Sequence, residues 1–428
     1  MNGAAQARDF SDVGQGLGDN VIRAAIAGAE KPALVGATAY RCRDPHSMPL
    51  RPWVYGRQLL RGSLSLIVAP GAVGKTSLLV GTALALATGR DLLGKQVWEG
   101  PKRVWLWNLE DSGEEMARLI EAARLHWRLG QGDLDGRLFV DSALDGAELK
   151  LAVEDRDGFR IMRPLVDALV AELLERKIDV LIVDPFVSSH SASENDNGAI
   201  DAIAKEWARV GVRANCSIVL AHHTRKLGGG EANAEGARGA IALVGAARSV
   251  IALNKMSEEE ANGYGIEGEE RRRYFRAYDD KNNRTPPADQ SDWYQLASVH
   301  LGNGPMGASG DSIQVVLPWS PPDVFAGVTV GHLQQVQEAV RGGSWKFDVQ
   351  AEEWVGLAVA PILKLNVDER KGRDAKRVKK LVDVWIANGA LKKVTQKCEK
   401  SRRDKPFVLV GQPVVGDCVT PYRGGDAG

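Results

Sequence analysis

The sequence predicts an α/β fold, a mostly parallel sheet covered by helices on both faces, followed by a small basic module near the C-terminus. Three observations carry that expectation. Short apolar runs alternate with helical patterns along the middle of the chain, and those runs are near-continuously apolar, as strands buried on both faces are. Beyond a stretch rich in Gly and Pro, the pattern changes to one amphipathic helix and a basic-tipped hairpin. At 428 residues the chain is too long for one compact core, so two or three domains are expected.

Residues 1–50 are rich in Gly and Ala and weakly patterned, and read as a mobile lead-in. The run "SLSLIVA" (63–69) then precedes a helix through "KTSLLVGTALALAT", and "RVWLWNLE" (103–110) precedes "SGEEMARLIEAARLHWRL". Next, "DVLIVDP" (179–185) precedes "NGAIDAIAKEWARVGVRA", followed by the strands "CSIVLAHH" (216–223) and "SVIALNKM" (249–256). "RRRYFRAYDDKNN" and "WYQLASVHLGNG" read as further strands at the edge of the same sheet, so this domain is expected over 51–304. Residues 305–335 read as a linker or extension, 336–412 as the basic module and 413–428 as a tail.

In the basic module Val378, Leu381, Val382, Trp385 and Ile386 fall on one helical face that Gly389 closes, while Lys376, Arg377, Lys379 and Lys380 line the other face and the flanks. "ALKKVTQK" and "PFVLVG" pair as a hairpin whose turn, "CEKSRRDK", carries Arg402 and Arg403. A helix followed by a basic-tipped hairpin reads as a winged helix-turn-helix-like domain that contacts DNA. Net charge is zero, yet Lys364 to Lys405 hold fifteen Lys/Arg against six Asp/Glu, so one end is built to meet an anion. No apolar run is long enough to span a membrane, and the first residues lack the apolar centre of a secretion signal, so a cytoplasmic, membrane-free protein is expected. Cys42, Cys216, Cys398 and Cys418 are scattered without metal-ligand spacing, so they are expected to be reduced thiols, with Cys216 in the core. Of the eleven tryptophans, Trp105, Trp107, Trp207 and Trp385 sit on apolar faces and are expected to pack in cores.

The chemistry starts at "VAPGAVGKTS" (68–77), which follows a buried-type strand and opens a helix. That is the context of a phosphate-binding loop: backbone N–H groups from Gly71 to Ser77 cradle phosphates, Lys75 reaches the β and γ phosphates, and the Thr76 hydroxyl holds Mg²⁺. Ala69 stands where the usual pattern has its first glycine, which matters only if the backbone there needs a positive φ, while Gly71 offers extra freedom inside the loop. Asp184 ends an apolar strand, where it can accept hydrogen bonds from Mg²⁺-bound water. Glu110, or its neighbour Asp111, is placed to polarise the attacking water. His222 and His223 are adjacent on one strand and point to opposite faces, so only one of them faces the nucleotide. Arg238 and Arg248 are isolated in a small apolar stretch, as an arginine completing a neighbouring subunit's site would be, and Lys281 could join them. The glycine-rich loop "RKLGGGEANAEGA" reads as a mobile segment able to line a pore.

The set "APGAVGKTS", "WNLEDS", "LIVDP", "LAHHTRK", "RGAIALVGAARSV" and "RRRYFRAYDDKNN", in this order from about Arg51 to about Gly304, resembles the RepA-type hexameric replicative helicases within the RecA-like P-loop ATPases. The resemblance implies a RecA-like core, ATP and Mg²⁺ as ligands and a homo-hexamer with single-stranded DNA in its pore. It assigns phosphate binding to Lys75, Mg²⁺ to Thr76 and Asp184, catalysis to Glu110, γ-phosphate sensing to His223, a finger reaching into the next subunit to Arg248, and a second basic contact to Lys281. Ala69 and the appended C-terminal module depart from the family's minimal pattern. The expected function is an ATP-driven DNA helicase or translocase in replication, the alternative a DNA-binding regulator or loader switched by ATP.

Overall fold

The structure, a computed structural model, describes residues 37–156, 158–224, 233, 241–285, 291–305, 310–398 and 402–413. The chain divides into two units, Met1–Leu50 and Arg51–Gly428. The described part of the first holds one 3-10 turn, Pro45–Ser47, capped by the Asp44 side chain. The second unit carries everything that follows.

After a two-stranded entry, β1 (Trp53–Tyr55) and β2 (Leu59–Leu60), the chain lays down β3 (Leu64–Ala69), α1 (Lys75–Thr88), β4 (Val104–Asn108), α2 (Gly113–Trp127), α3 (Gln131–Leu134) and β5 (Leu138–Ser142). The hairpin of β6 (Ala152–Asp155) and β7 (Gly158–Ile161) precedes α4 (Arg163–Glu175), β8 (Val180–Asp184), α5 (Asn197–Ala214), β9 (Ser217–His223), α6 (Ile241–Ala246) and β10 (Ser249–Lys255). Then come α7 (Glu258–Tyr264), β11 (Tyr274–Asn282), β12 (Asp292–His300) and β13 (Ser312–Trp319). These strands build one nine-stranded sheet in the order β13-β12-β11-β10-β3-β9-β8-β4-β5. The six from β10 to β5 are parallel, and β11, β12 and β13 extend the sheet antiparallel from β10.

The near-continuous apolar runs have their physical reason in two cores. On β3, Leu64, Leu66 and Val68 enter one core with α4, α5 and α6, while Ile67 and Ala69 enter the other with α1 and α2. Both faces of the strand are therefore buried, and a polar alternation would leave unpaired groups in either core. Trp105, Trp107 and Trp207 lie in the first core, as does Cys216, whose thiol is pushed up to about 12 by burial.

The expected boundary at residue 304 is corrected by β13, which lies inside the expected linker and pairs with β12 from Trp293↔Trp319 to His300↔Ser312. Val315 and Val316 are buried in the same core as α1, so this Gly- and Pro-flanked stretch finishes the sheet. Beyond it stand α8 (Val330–Arg341), β14 (Trp345–Lys346), α9 (Gly356–Val359), α10 (Arg373–Ala387), β15 (Leu391–Lys397) and β16 (Asp404–Val410). Their sheet runs β14-β16-β15, and Val336, Trp354, Val378, Leu381, Trp385, Leu391 and Val408 form a separate core. Gly389, just past α10, has φ +83°, the left-handed conformation that ends a helix at low cost. No helix among the described residues is long and apolar enough to cross a membrane.

Candidate active site

Four neighbouring parallel strands, β3, β9, β8 and β4, end together, and each delivers one part of the site from its C-terminal end. Register puts Ala69 beside His223 and Asn108 beside Asp184. The loop from Pro70 then turns into α1, which begins at Gly74 (φ 101°) without a side-chain cap, so its first N–H groups are free for an anion. Ala69 is the last residue of β3 and has no positive φ, so its Cβ costs nothing there. The left-handed positions are Ala72 (φ 56°) and Gly74, not Gly71, which corrects the role expected of Gly71. A Cβ at Gly74 would also come within 2.9 Å of Leu296 Cδ2, since β12 passes directly beneath the loop.

Lys75 Nζ lies 2.6 Å from Asp184 Oδ1 and 3.1 Å from His223 Nε2. The Thr76 hydroxyl donates to Asp184 Oδ2 at 2.8 Å. Lys75 and Asp184 are both buried, and Asp184 Oδ1 has no aligned hydrogen-bond donor despite the nearby ammonium. A buried carboxylate oxygen in that state, beside a hydroxyl, is a hard-oxygen set that suits Mg²⁺ and its water shell. Ser77 sits half-buried in the same first turn.

Glu110 is aimed by an element the sequence did not announce. β4 ends at Asn108, and its side-chain Oδ1 accepts from the N–H of Glu110 (2.8 Å) and of Asp111 (2.7 Å). This Asx turn, with Leu109 N–H donating to Asp184 O at 2.7 Å, sets Glu110 Oε2 at 3.6 Å from His223 Nε2. Asp111 is occupied otherwise: its carboxylate receives the Asn108 amide at 3.4 Å and its carbonyl the Ser142 hydroxyl at 2.7 Å. The readable signal was an Asn two residues before the acid at a strand end.

His222 points to the other face, where its ring meets Phe186 and its Nδ1 approaches Glu194 Oε1 at 3.8 Å. Burial, then the charges of His223, Lys75 and His190, push it down to about 4, so it is neutral at physiological pH. His190 packs tilted against the same Phe186 at 4.7 Å, and burial pushes it down as well. Glu194, a loop acid, carried no sequence signal, whereas His190 ends the run "VDPFVSSH" that follows the Asp184 strand.

Arg248 stands apart. Its backbone N–H donates to Leu64 O, at the start of β3, whereas the phosphate loop follows the end of that strand. Five residues of strand make that separation roughly 17 Å. Its side chain is exposed and has no ion-pair partner among the described residues. Lys281 is beside it, donating to Val244 O (2.7 Å) and Gly245 O (3.3 Å) at the end of α6, with its pKa lowered by burial and then by Arg248. Neither cation belongs to its own chain's phosphate site. Arg238 and the glycine-rich loop, apart from Asn233, lie outside the described residues.

Residues 41–229 match the family model described as an AAA domain. That segment is a P-loop ATPase domain. It covers Lys75, Thr76, Glu110, Asp184 and His223 and stops short of Arg248, Lys281 and the C-terminal module. The match implies nucleotide binding by the loop whose geometry is given above.

The nucleic-acid candidates separate into two groups. Lys376 Nζ reaches Asn262 Oδ1 at 3.4 Å, Lys380 Nζ stands 5.0 Å over the Tyr264 ring, and Arg377 donates to Val324 O at 3.1 Å and to Ala326 O. These three are turned inward onto α7 and the segment before α8, which corrects their expected place on a free DNA-facing surface. Lys379, Arg402 and Arg403 are exposed, as are Lys392 and Lys397 of β15.

Proposed function

We propose that the protein is an ATP-dependent, ring-forming DNA helicase or translocase that hydrolyses ATP at sites shared between subunits, with the C-terminal module as its duplex contact. The observation that carries this is Arg248, an exposed arginine with no ion-pair partner among the described residues and with Lys281 beside it, at the end of the sheet opposite the chain's own phosphate loop. An arginine so placed is out of reach of its own chain's nucleotide and free to serve that of another copy, and a ring gives every copy a neighbour.

Lys75 holds the β and γ phosphates against the open start of α1, and on binding exchanges Asp184 for phosphate oxygens. Thr76 and Asp184 would hold Mg²⁺, which would supply charge neutralisation at the phosphates. Glu110 accepts the proton of the water that attacks the γ phosphorus as the bond to ADP breaks. His223, between Lys75 Nζ and Glu110 Oε2, contacts both the group that grips the phosphate and the base, and so reports whether the γ-phosphate is present. The neighbour's Arg248 neutralises the departing phosphoryl charge.

The test mixes two inactive variants. Lys75→Ala and Arg248→Ala subunits each lack one half of the shared site, so alone they are silent, and together they form some interfaces with both halves intact. Recovered ATPase on mixing supports the shared site; none, with mixed oligomers shown by mass, removes it. A fork-unwinding assay on the same oligomers then separates a helicase from an ATP-switched DNA-binding regulator, which binds without parting strands.

A further inference from the structure

α10 turns Lys376 onto Asn262 and Lys380 onto the Tyr264 ring of α7, and the start of that helix is acidic, with Glu258 paired to Arg271 and Glu260 to Arg276. α7 opens with Glu258, Glu259 and Glu260, and Glu259 is exposed without an ion-pair partner among the described residues. Glu259 and Glu260 line one wall of a cleft of about 1020 Å³, and Lys371, Lys376, Lys379 and Lys380 line the facing wall. Where the two helices close up, they touch: a Cβ on Gly265 would stand 2.9 Å from Arg373 Cγ, and one on Gly263 would stand 3.8 Å from Lys380 Nζ. On its far side α7 is anchored, since Tyr264 packs edge-on against Trp293 and Trp319, each at 5.7 Å, in a small aromatic core with β12 and β13.

We infer that α7 is an acidic latch that holds the C-terminal module on the ATPase domain by the same face of α10 that duplex DNA takes, so that docking and duplex binding exclude one another. The inference rests on the proposed reading of the module as a duplex contact. Lys376 and Lys380 face Asn262 and Tyr264, so α7 stands on the side from which a phosphate backbone would have to reach them. A second helix against α10 also blocks its entry into a DNA groove, which is wide enough for one helix. The exposed hairpin cations Lys392, Lys397, Arg402 and Arg403 remain available for a first encounter, and full engagement requires α10 to leave α7. The apparent duplex affinity is then lowered by the fraction of molecules that are docked.

The test uses the full chain, a fluorescent duplex of about two helical turns, and hydrogen exchange. Glu259→Lys puts a cation against the cations of α10 without touching a core contact. Glu175→Lys, the same charge change beside Arg176 over Phe139 of the sheet's opposite edge strand, controls for added positive charge. The latch predicts that Glu259→Lys tightens duplex binding on the order of tenfold relative to Glu175→Lys. In the wild-type chain it predicts that saturating duplex speeds amide exchange in 258–265 while slowing it in 391–397. Equal affinities for the two variants, or 258–265 unchanged or protected while 391–397 is protected, overturn the latch and leave duplex binding standing. No duplex binding by either variant or by the wild type overturns the underlying reading and the latch with it.

Discussion

At the residue scale the site is held by a buried charge pair whose members serve the nucleotide when it arrives. Lys75 and Asp184 are 2.6 Å apart with side chains only 5% and 3% exposed, so removing either leaves the other as an uncompensated buried charge. Lys75→Ala is therefore expected to abolish hydrolysis and also to lower the unfolding free energy without nucleotide by about 3 kcal/mol, measured by urea titration. His222 makes a pH-dependent contribution of its own. Its folded pKa of about 4 lies below the ordinary histidine value, so the unfolded chain binds the proton more readily. The associated stability is complete above pH ~6.5 and is lost as pH falls toward ~4, by about 3 kcal/mol in all. Comparing wild type with His222→Gln by urea unfolding at pH 7 and pH 5 checks this: the wild type loses roughly 2 kcal/mol more between them. Glu110→Gln is expected to bind nucleotide normally and to lose about 10²- to 10⁴-fold in turnover, read by ATPase rate against fluorescent-nucleotide binding.

At the scale of elements, the antiparallel extension decides where the ATPase domain ends. β12 supplies Leu296 under the phosphate loop, and β13 covers its edge over eight paired residues from Trp293↔Trp319 to His300↔Ser312. A chain ending at 304 would leave that edge open and Val315 and Val316 missing from the α1 core, so it should aggregate or melt early. One ending near 325 keeps the sheet and should retain nucleotide binding, which thermal melts with and without ATP would show. The strand–helix alternation that positions the loop, Asp184 and the histidines was readable, because strands buried on both faces leave continuous apolar runs. β13 was not, because an edge strand with a half-buried pattern, flanked by Gly and Pro, looks like a linker. β5 escaped for the same reason: its residues are only partly buried at the other edge of the sheet.

For the whole molecule, the proposed reading as a DNA-acting ring rests its duplex contact on the basic module. If the hairpin makes the first phosphate contacts, Arg402→Ala with Arg403→Ala should weaken binding of every duplex alike and reduce the log–log salt slope by about 2, by fluorescence anisotropy across a salt series. The sequence by itself determined the α/β class, the phosphate loop, and the residue types that a nucleotide and Mg²⁺ require, since backbone geometry and charge chemistry restrict those positions to a few residues. It also located the basic module, because fifteen cations in one short stretch are visible without any coordinates. Which of two neighbours faces the loop was left to the tertiary structure: Asn108 turns Glu110 toward His223 and holds Asp111 back, and strand pleat sends His222 to the other face. So was the separation of Arg248 from its own phosphate loop, the turning of Lys376 and Lys380 onto α7, and that of Arg377 onto the segment before α8. These are contacts between residues far apart in the chain, and a linear pattern fixes which face of an element is apolar but not what the polar face will meet.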